Sequence, residues 1–68
     1  MRAEDLKKEI DEMIKSKPSN WRDGQFVFNY INAEYGVARD VQFIDGVDCF
    51  FIDEKIDEFI EKCAERIK

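Results

Sequence analysis

The sequence predicts a small α+β domain that is mostly α: three helices, with a short β-hairpin or irregular ribbon between helix 2 and helix 3. Three observations carry that expectation. Apolar residues recur at helical spacing in three separate segments. Asp45-Gly46 lies among β-branched and aromatic residues, which is the signal of a two-residue hairpin turn. With 68 residues, the chain has room for one domain. A chain this short buries only about 60% of its unfolded surface, so large side chains must fill the core. Nine aromatic residues are available for that purpose.

The first helix is expected over residues 3–17, where Leu6, Ile10, Met13 and Ile14 form a narrow apolar stripe in a charged background. So narrow a stripe suggests a peripheral, weakly docked element, with residues 18–68 as the main unit of a single small domain. Pro18 ends it, and Ser19 or Asn20 is placed to cap the next helix. That second helix runs to about Tyr35, and Gly36 supplies the left-handed residue at its end. Phe26, Val27, Phe28, Tyr30, Ile31 and Tyr35 cover an arc of about 200°, at about 100° per residue, which predicts a central helix with neighbours on two sides. Residues 41–51 are expected to pair across Asp45-Gly46, Ile44 with Val47 and Phe43 with Asp48, or else to begin with a short helical turn over 37–41. Neither face of that ribbon is cleanly polar, so its register is weakly specified. Asp53 is placed to cap the last helix, residues 54–67, whose stripe is Ile56, Phe59, Ile60, Cys63, Ala64 and Ile67.

Charge narrows the function. Eleven basic residues face sixteen acidic ones, and between residues 23 and 54 Arg39 stands alone against seven carboxylates. Such a balance disfavours a nucleic-acid backbone partner. No apolar run approaches the length of about 20 residues that spans a bilayer, and no secretory signal is visible, so a cytoplasmic setting without a membrane partner is expected. Two cysteines make no disulfide framework.

The chemistry that the residue types allow is narrow. The absence of histidine removes the commonest general base and transition-metal ligand. Cys63 falls in an apolar stripe, where a buried thiol is expected rather than a nucleophile. The carboxylates Asp40, Asp45, Asp48 and Asp53 form an acidic patch without the alternating ligands and mid-loop glycine of a calcium loop. The expectation is therefore a non-enzymatic protein with no cofactor and no metal.

Two binding surfaces remain candidates. Gln25, Asn29 and Asn32 make a stripe of amides opposite the apolar arc, a residue type able to read adenine edges. Three helices and a ribbon would suit a small DNA-associated regulator of winged-helix or helix-turn-helix type, although the helix that would enter the groove carries no Lys or Arg past Arg22. The alternative is a protein partner with a basic surface, met by the acidic patch and by Trp21 and Arg22 at the entrance of the second helix and Tyr35 at its exit. A protein–protein interaction module is the preferred reading.

The segment "WRDGQFVFN", followed by "GVARDVQFIDGVDCFFIDEKIDEFI", resembles a family of short uncharacterised bacterial and phage or prophage proteins. Trp21, Arg22, Gly24, Gln25, Phe28 and Asn29 match a W-R-x-G-Q-x-x-F-N motif, and Asp48, Phe50 and Asp53 match a D-x-F-x-x-D segment, with Phe59 matching beyond it. The likeness spans roughly residues 18–67 and leaves the first helix outside. It implies a bacterial or mobile-element accessory setting and no reaction. It also suggests that Arg22 pairs with Asp48 or Asp53, tying the helix entrance to the ribbon.

Overall fold

The computed structural model describes residues 1–67; Lys68, the last residue of the expected main unit, lies outside them. Four α-helices follow one another: α1 (Ala3–Met13), α2 (Asp23–Tyr35), α3 (Ala38–Phe43) and α4 (Ile56–Arg66). Short 3-10 turns extend α1 over Ile14–Ser16 and precede α4 over Asp53–Lys55. No strand occurs among the described residues, so the expected hairpin is absent and the fold is all-helical.

The reason lies in the two glycines. Gly36 and Gly46 both adopt φ 71°, the left-handed conformation that ends a helix as readily as it turns a hairpin. Asp45-Gly46 therefore closes α3: the Ile44 amide donates to the Asp40 carbonyl at 2.8 Å and the Val47 amide to Val41 at 3.2 Å. Ala38 and Val41, three residues apart, make a buried helical face, and Val47 folds back beside it. The β-branched residues that suggested strands thus serve a short helix and its stop. The helical turn expected as the alternative at 37–41 marks where α3 begins.

Leu6 and Ile10 of α1 are buried, and α1 lies along α4. On the facing side, Glu9 accepts hydrogen bonds from Tyr30, and from Tyr35 at 2.7 and 2.8 Å, which fastens α1 to α2. α2 touches α3, α4 and both 3-10 turns, the central position its wide arc predicts. Its Val27 and Ile31 side chains are fully buried and Phe28 nearly so, while Phe26 and Tyr30 are half-buried and stack on each other at 6.0 Å. Phe59 and Ile60 of α4 close the core, each contributing about 1.5–3 kcal/mol through apolar burial.

Two expected caps are replaced. Neither Ser19 nor Asn20 caps α2; Arg22 occupies the cap position and offers no side-chain bond there. Asp53 does not cap α4. Its carboxylate instead accepts the Gly24 amide at 3.2 Å, one of the α2 amides that has no partner within the helix. The cap of α2 comes from 29 residues away, so α2 and the segment before α4 hold each other.

Candidate functional site

That remote cap is part of a set of polar ties fixing residues 48–53 against the start of α2. Arg22 donates to the Phe50 carbonyl at 2.6 Å and lies 3.8 Å from Asp53. The Cys49 thiol donates to the Gly24 carbonyl at 3.4 Å. Gly24 is required there, because a Cβ would stand 1.9 Å from the Cys49 carbonyl oxygen and 2.7 Å from the Asp53 carboxylate. Asp48 accepts the Phe50 amide at 2.8 Å, closing a local turn of the kind that short acidic side chains form with the backbone two residues on. A non-helical segment is thereby fixed by its own Asp48, Cys49 and Asp53 side chains and by the Phe50 carbonyl, while Phe51 is left facing outward.

Aromatic rings run outward from the core along that segment. Phe59 is fully buried and meets Phe28 at 5.6 Å; Phe28 meets Phe50 edge-on at 5.5 Å; Phe50 meets Phe51 at 4.8 Å. Phe51 is 68% exposed, and Phe43 at the end of α3 is 77% exposed. Between them lies a groove of about 270 Å³ lined by Phe28, Arg39, Gln42, Phe43, Phe50 and Phe51. Exposed aromatics around a concavity, set beside a closed core, are the feature that marks interaction surfaces. A second hollow of about 360 Å³, between α1 and α4, is lined by Ala3, Glu4, Lys7, Asp57, Ile60 and Glu61. Its Lys7 and Asp57 stand 3.5 Å apart.

The residues expected to form a binding surface do not gather at the groove. Trp21 is half-buried, its carbonyl held by Lys17 at 2.5 Å. Gln25, Asn29 and Asn32 are half-buried along α2. Tyr35 is engaged with Glu9, whose hydrogen bond, followed by partial burial, raises its pKa. Arg22 is the member adjoining the groove, through the Phe50 backbone.

The acidic patch is largely engaged within the fold. Asp45 pairs with Arg66 through two contacts of 3.1 Å, which hold its carboxyl below the usual range. Asp53 and Asp48 carry the ties described above, and Asp40 is exposed. Sequence reasoning missed Phe43, Phe51, Arg39 and Gln42 because the aromatics were assigned to a ribbon face. The legible signal was on α3, where Ala38 and Val41 define the buried side and Phe43 falls off it.

Both cysteines are buried, and burial pushes each thiol up to about 12, far from a thiolate at neutral pH. Among the described residues no group of three or more His, Cys, Asp or Glu side chains is arranged to hold a metal. No described helix is long and apolar enough to cross a membrane. Comparison with protein-family models, with curated proteins and with solved structures finds no match.

Proposed function

We propose that this chain is a non-enzymatic binding module that engages a protein partner through the groove between Phe43 and Phe51, in a bacterial or mobile-element accessory role. The observation that carries this reading is the continuous run of rings from buried Phe59 to exposed Phe51. An anchor side chain entering the groove would meet Phe28 and Phe50, which are held by the core, with exposed Phe43 and Phe51 on either side of it. A groove of about 270 Å³ is below the roughly 300–1,000 Å³ typical of small-molecule sites and suits one or two partner side chains.

The nucleic-acid reading has less support. Its wing would have been the ribbon, which is absent among the described residues, and its amide stripe on α2 carries no Lys or Arg. The accessory setting rests on the W-R-x-G-Q resemblance, whose Arg22 and Gly24 position the wall of the groove.

The test places a photoreactive phenylalanine analogue at position 51 and, as a control, at position 12 on α1. Cross-linking in lysate of the source cell from position 51 to a different protein, absent from position 12, is the expected result. Equal labelling from both positions, or adducts to nucleic acid alone, would remove the groove as the seat of binding.

A further inference from the structure

The chemistry of the occupant, an inference that rests on the binding reading above, follows from what surrounds the groove. Its walls come from residues 39–43 and 50–51, with Phe28 behind them. Every wall segment is flanked by carboxylates. Asp40 follows Arg39, Asp45 lies two residues after Phe43, Asp48 two before Phe50, Asp53 two after Phe51, and Glu54 comes next. Successive Cα atoms lie about 3.8 Å apart, so the backbone of each of the four aspartates is within about 8 Å of a wall residue. That is inside a Debye length of about 10 Å at 0.1 M salt.

Three guanidinium groups stand against these five acids, together with Lys55 and Lys62, each of which is drawn to a further carboxylate of its own, Glu58 at 3.6 Å and Glu65 at 4.0 Å. Arg22 is drawn to Asp53 at 3.8 Å and Arg66 to Asp45 at 3.1 Å, while Arg39 lines the groove beside Asp40 in sequence. Asp40, Asp48 and Glu54 make no ion pair among the described residues, which leaves a negative surround about an apolar floor.

We infer that the occupant is a cationic amphipathic segment of a protein partner, with apolar side chains seated between Phe43 and Phe51 and Lys or Arg side chains over the acidic surround. Charge complementarity selects it. A phosphate backbone would meet repulsion from the same carboxylates. A second copy docked symmetrically would bring two acidic surrounds face to face, which costs association.

The test uses the full chain and two fluorescent synthetic helical peptides with identical leucine positions, one carrying lysines and the other glutamates on the polar face. Anisotropy should show saturable binding of the lysine peptide, weakened by added salt, and at least about tenfold weaker binding of the glutamate peptide. Combined Phe43→Ser and Phe51→Ser should weaken the lysine peptide about tenfold or more, with helix content and melting checked on the same sample. Asp40→Asn with Glu54→Gln leaves the aromatics in place and should reduce both the affinity and its salt dependence.

Glutamate-peptide binding as tight as that of the lysine peptide, lost on the aromatic substitutions, overturns the charge inference while leaving the groove reading standing. Lysine-peptide binding unchanged by those substitutions overturns both. No binding of either peptide overturns the inference, and so does concentration-dependent self-association abolished by the same substitutions, which would assign the groove to a second copy.

Discussion

The two halves of this molecule use the same residue type for opposite ends. Between α1, α2 and α4, Phe59 and Phe28 are shut into a core of Leu6, Ile10, Val27 and Ile31. Around the end of α3 and the segment before α4, Phe43 and Phe51 face solvent, Ala38, Val41, Val47 and Cys49 anchor the chain in the same core, and polar contacts among Arg22, Gly24, Asp48, Phe50 and Asp53 hold it in place. Apolar burial dominates the closed half; in the open half fewer side chains are buried, and polar ties complete the fastening. A small protein that must present aromatic side chains cannot also use them to fix the segment that carries them. It needs a second fastening system, and here Gly24 of α2 and Arg22 just before that helix provide it.

The sharpest break between the halves is a pair of phenylalanine truncations. Phe59→Ala empties a fully buried site and should cost about 3–5 kcal/mol. For a domain of this size that lowers Tm by about 4–8 °C per kcal/mol, so the variant should melt well over 10 °C early or fail to fold. Phe51→Ala removes a ring that is 68% exposed and should move stability by no more than about 0.5 kcal/mol. Calorimetry or thermal circular dichroism on both variants reads the contrast directly. Equal losses would mean that Phe51 belongs to the core, and the proposed surface would go with it.

Gly24→Ala attacks the fastening rather than the core. The added methyl meets a backbone carbonyl at 1.9 Å, which cannot swing aside as a side chain can, so either α2 or residues 48–53 must move. The cost should reach about 3 kcal/mol, at the upper end of overpacking. Its distinctive readout is hydrogen exchange: amides of residues 48–53 should lose protection more than those of α1. Uniform loss across both halves would show that the open segment has no fastening of its own.

Arg22→Ala and Asp53→Ala probe the same ties more gently. Both side chains are about half exposed, so solvent screens their mutual attraction, and the Arg22–Asp53 pair itself is worth little. What is lost is the Arg22 bond to the Phe50 carbonyl in one variant and the cap on the Gly24 amide in the other. Each should cost about 1 kcal/mol by denaturant melting. The double variant should cost less than the sum, because both act on the same segment. Strict additivity would separate the two contacts and weaken the picture of one shared tie.

How much of this was legible depended on whether a residue's task was local. The stripe of α4, the wide arc of α2 and the stop at Gly36 follow from periodicity and glycine conformation, and all three stand in the structure. Gly46 has the same φ as Gly36, but its neighbours Val41, Ile44 and Val47 favour strands when read locally and so suggest a hairpin. The remote partners of Gly24 and Asp53 lie 29 residues apart, beyond any window in which spacing informs. The W-R-x-G-Q resemblance placed Arg22 near Asp48 or Asp53, and the geometry has it at Asp53 while Asp48 serves the Phe50 amide. Tyr35 has the residue type of a binding anchor, yet its hydroxyl is committed to Glu9, a contact between helices that no single-helix pattern encodes.

The finest distinction between the halves is in their response to pH, and the signs are opposite. In the closed half, partial burial and the hydrogen bond to Glu9 raise the pKa of Tyr30, and the Glu9 bond leads the same shift in Tyr35. A phenol whose folded pKa is raised adds stability that is fully present below its unfolded value of about 10 and is lost as pH climbs through the folded value. In the open half, Arg66 lowers the pKa of Asp45 at the exit of α3. That contribution is present above an unfolded value of about 4 and is lost as pH falls through the lowered one. Tyr35→Phe should therefore flatten the alkaline limb of the stability profile and leave the acid limb alone, while Asp45→Asn should do the reverse. Denaturant midpoints measured across the pH range on the two variants distinguish them. If Asp45→Asn left the acid limb unchanged, the Arg66 contact would be a surface pair of no consequence to α3, and the polar fastening of the open half would rest on Arg22, Gly24, Asp48 and Asp53 alone.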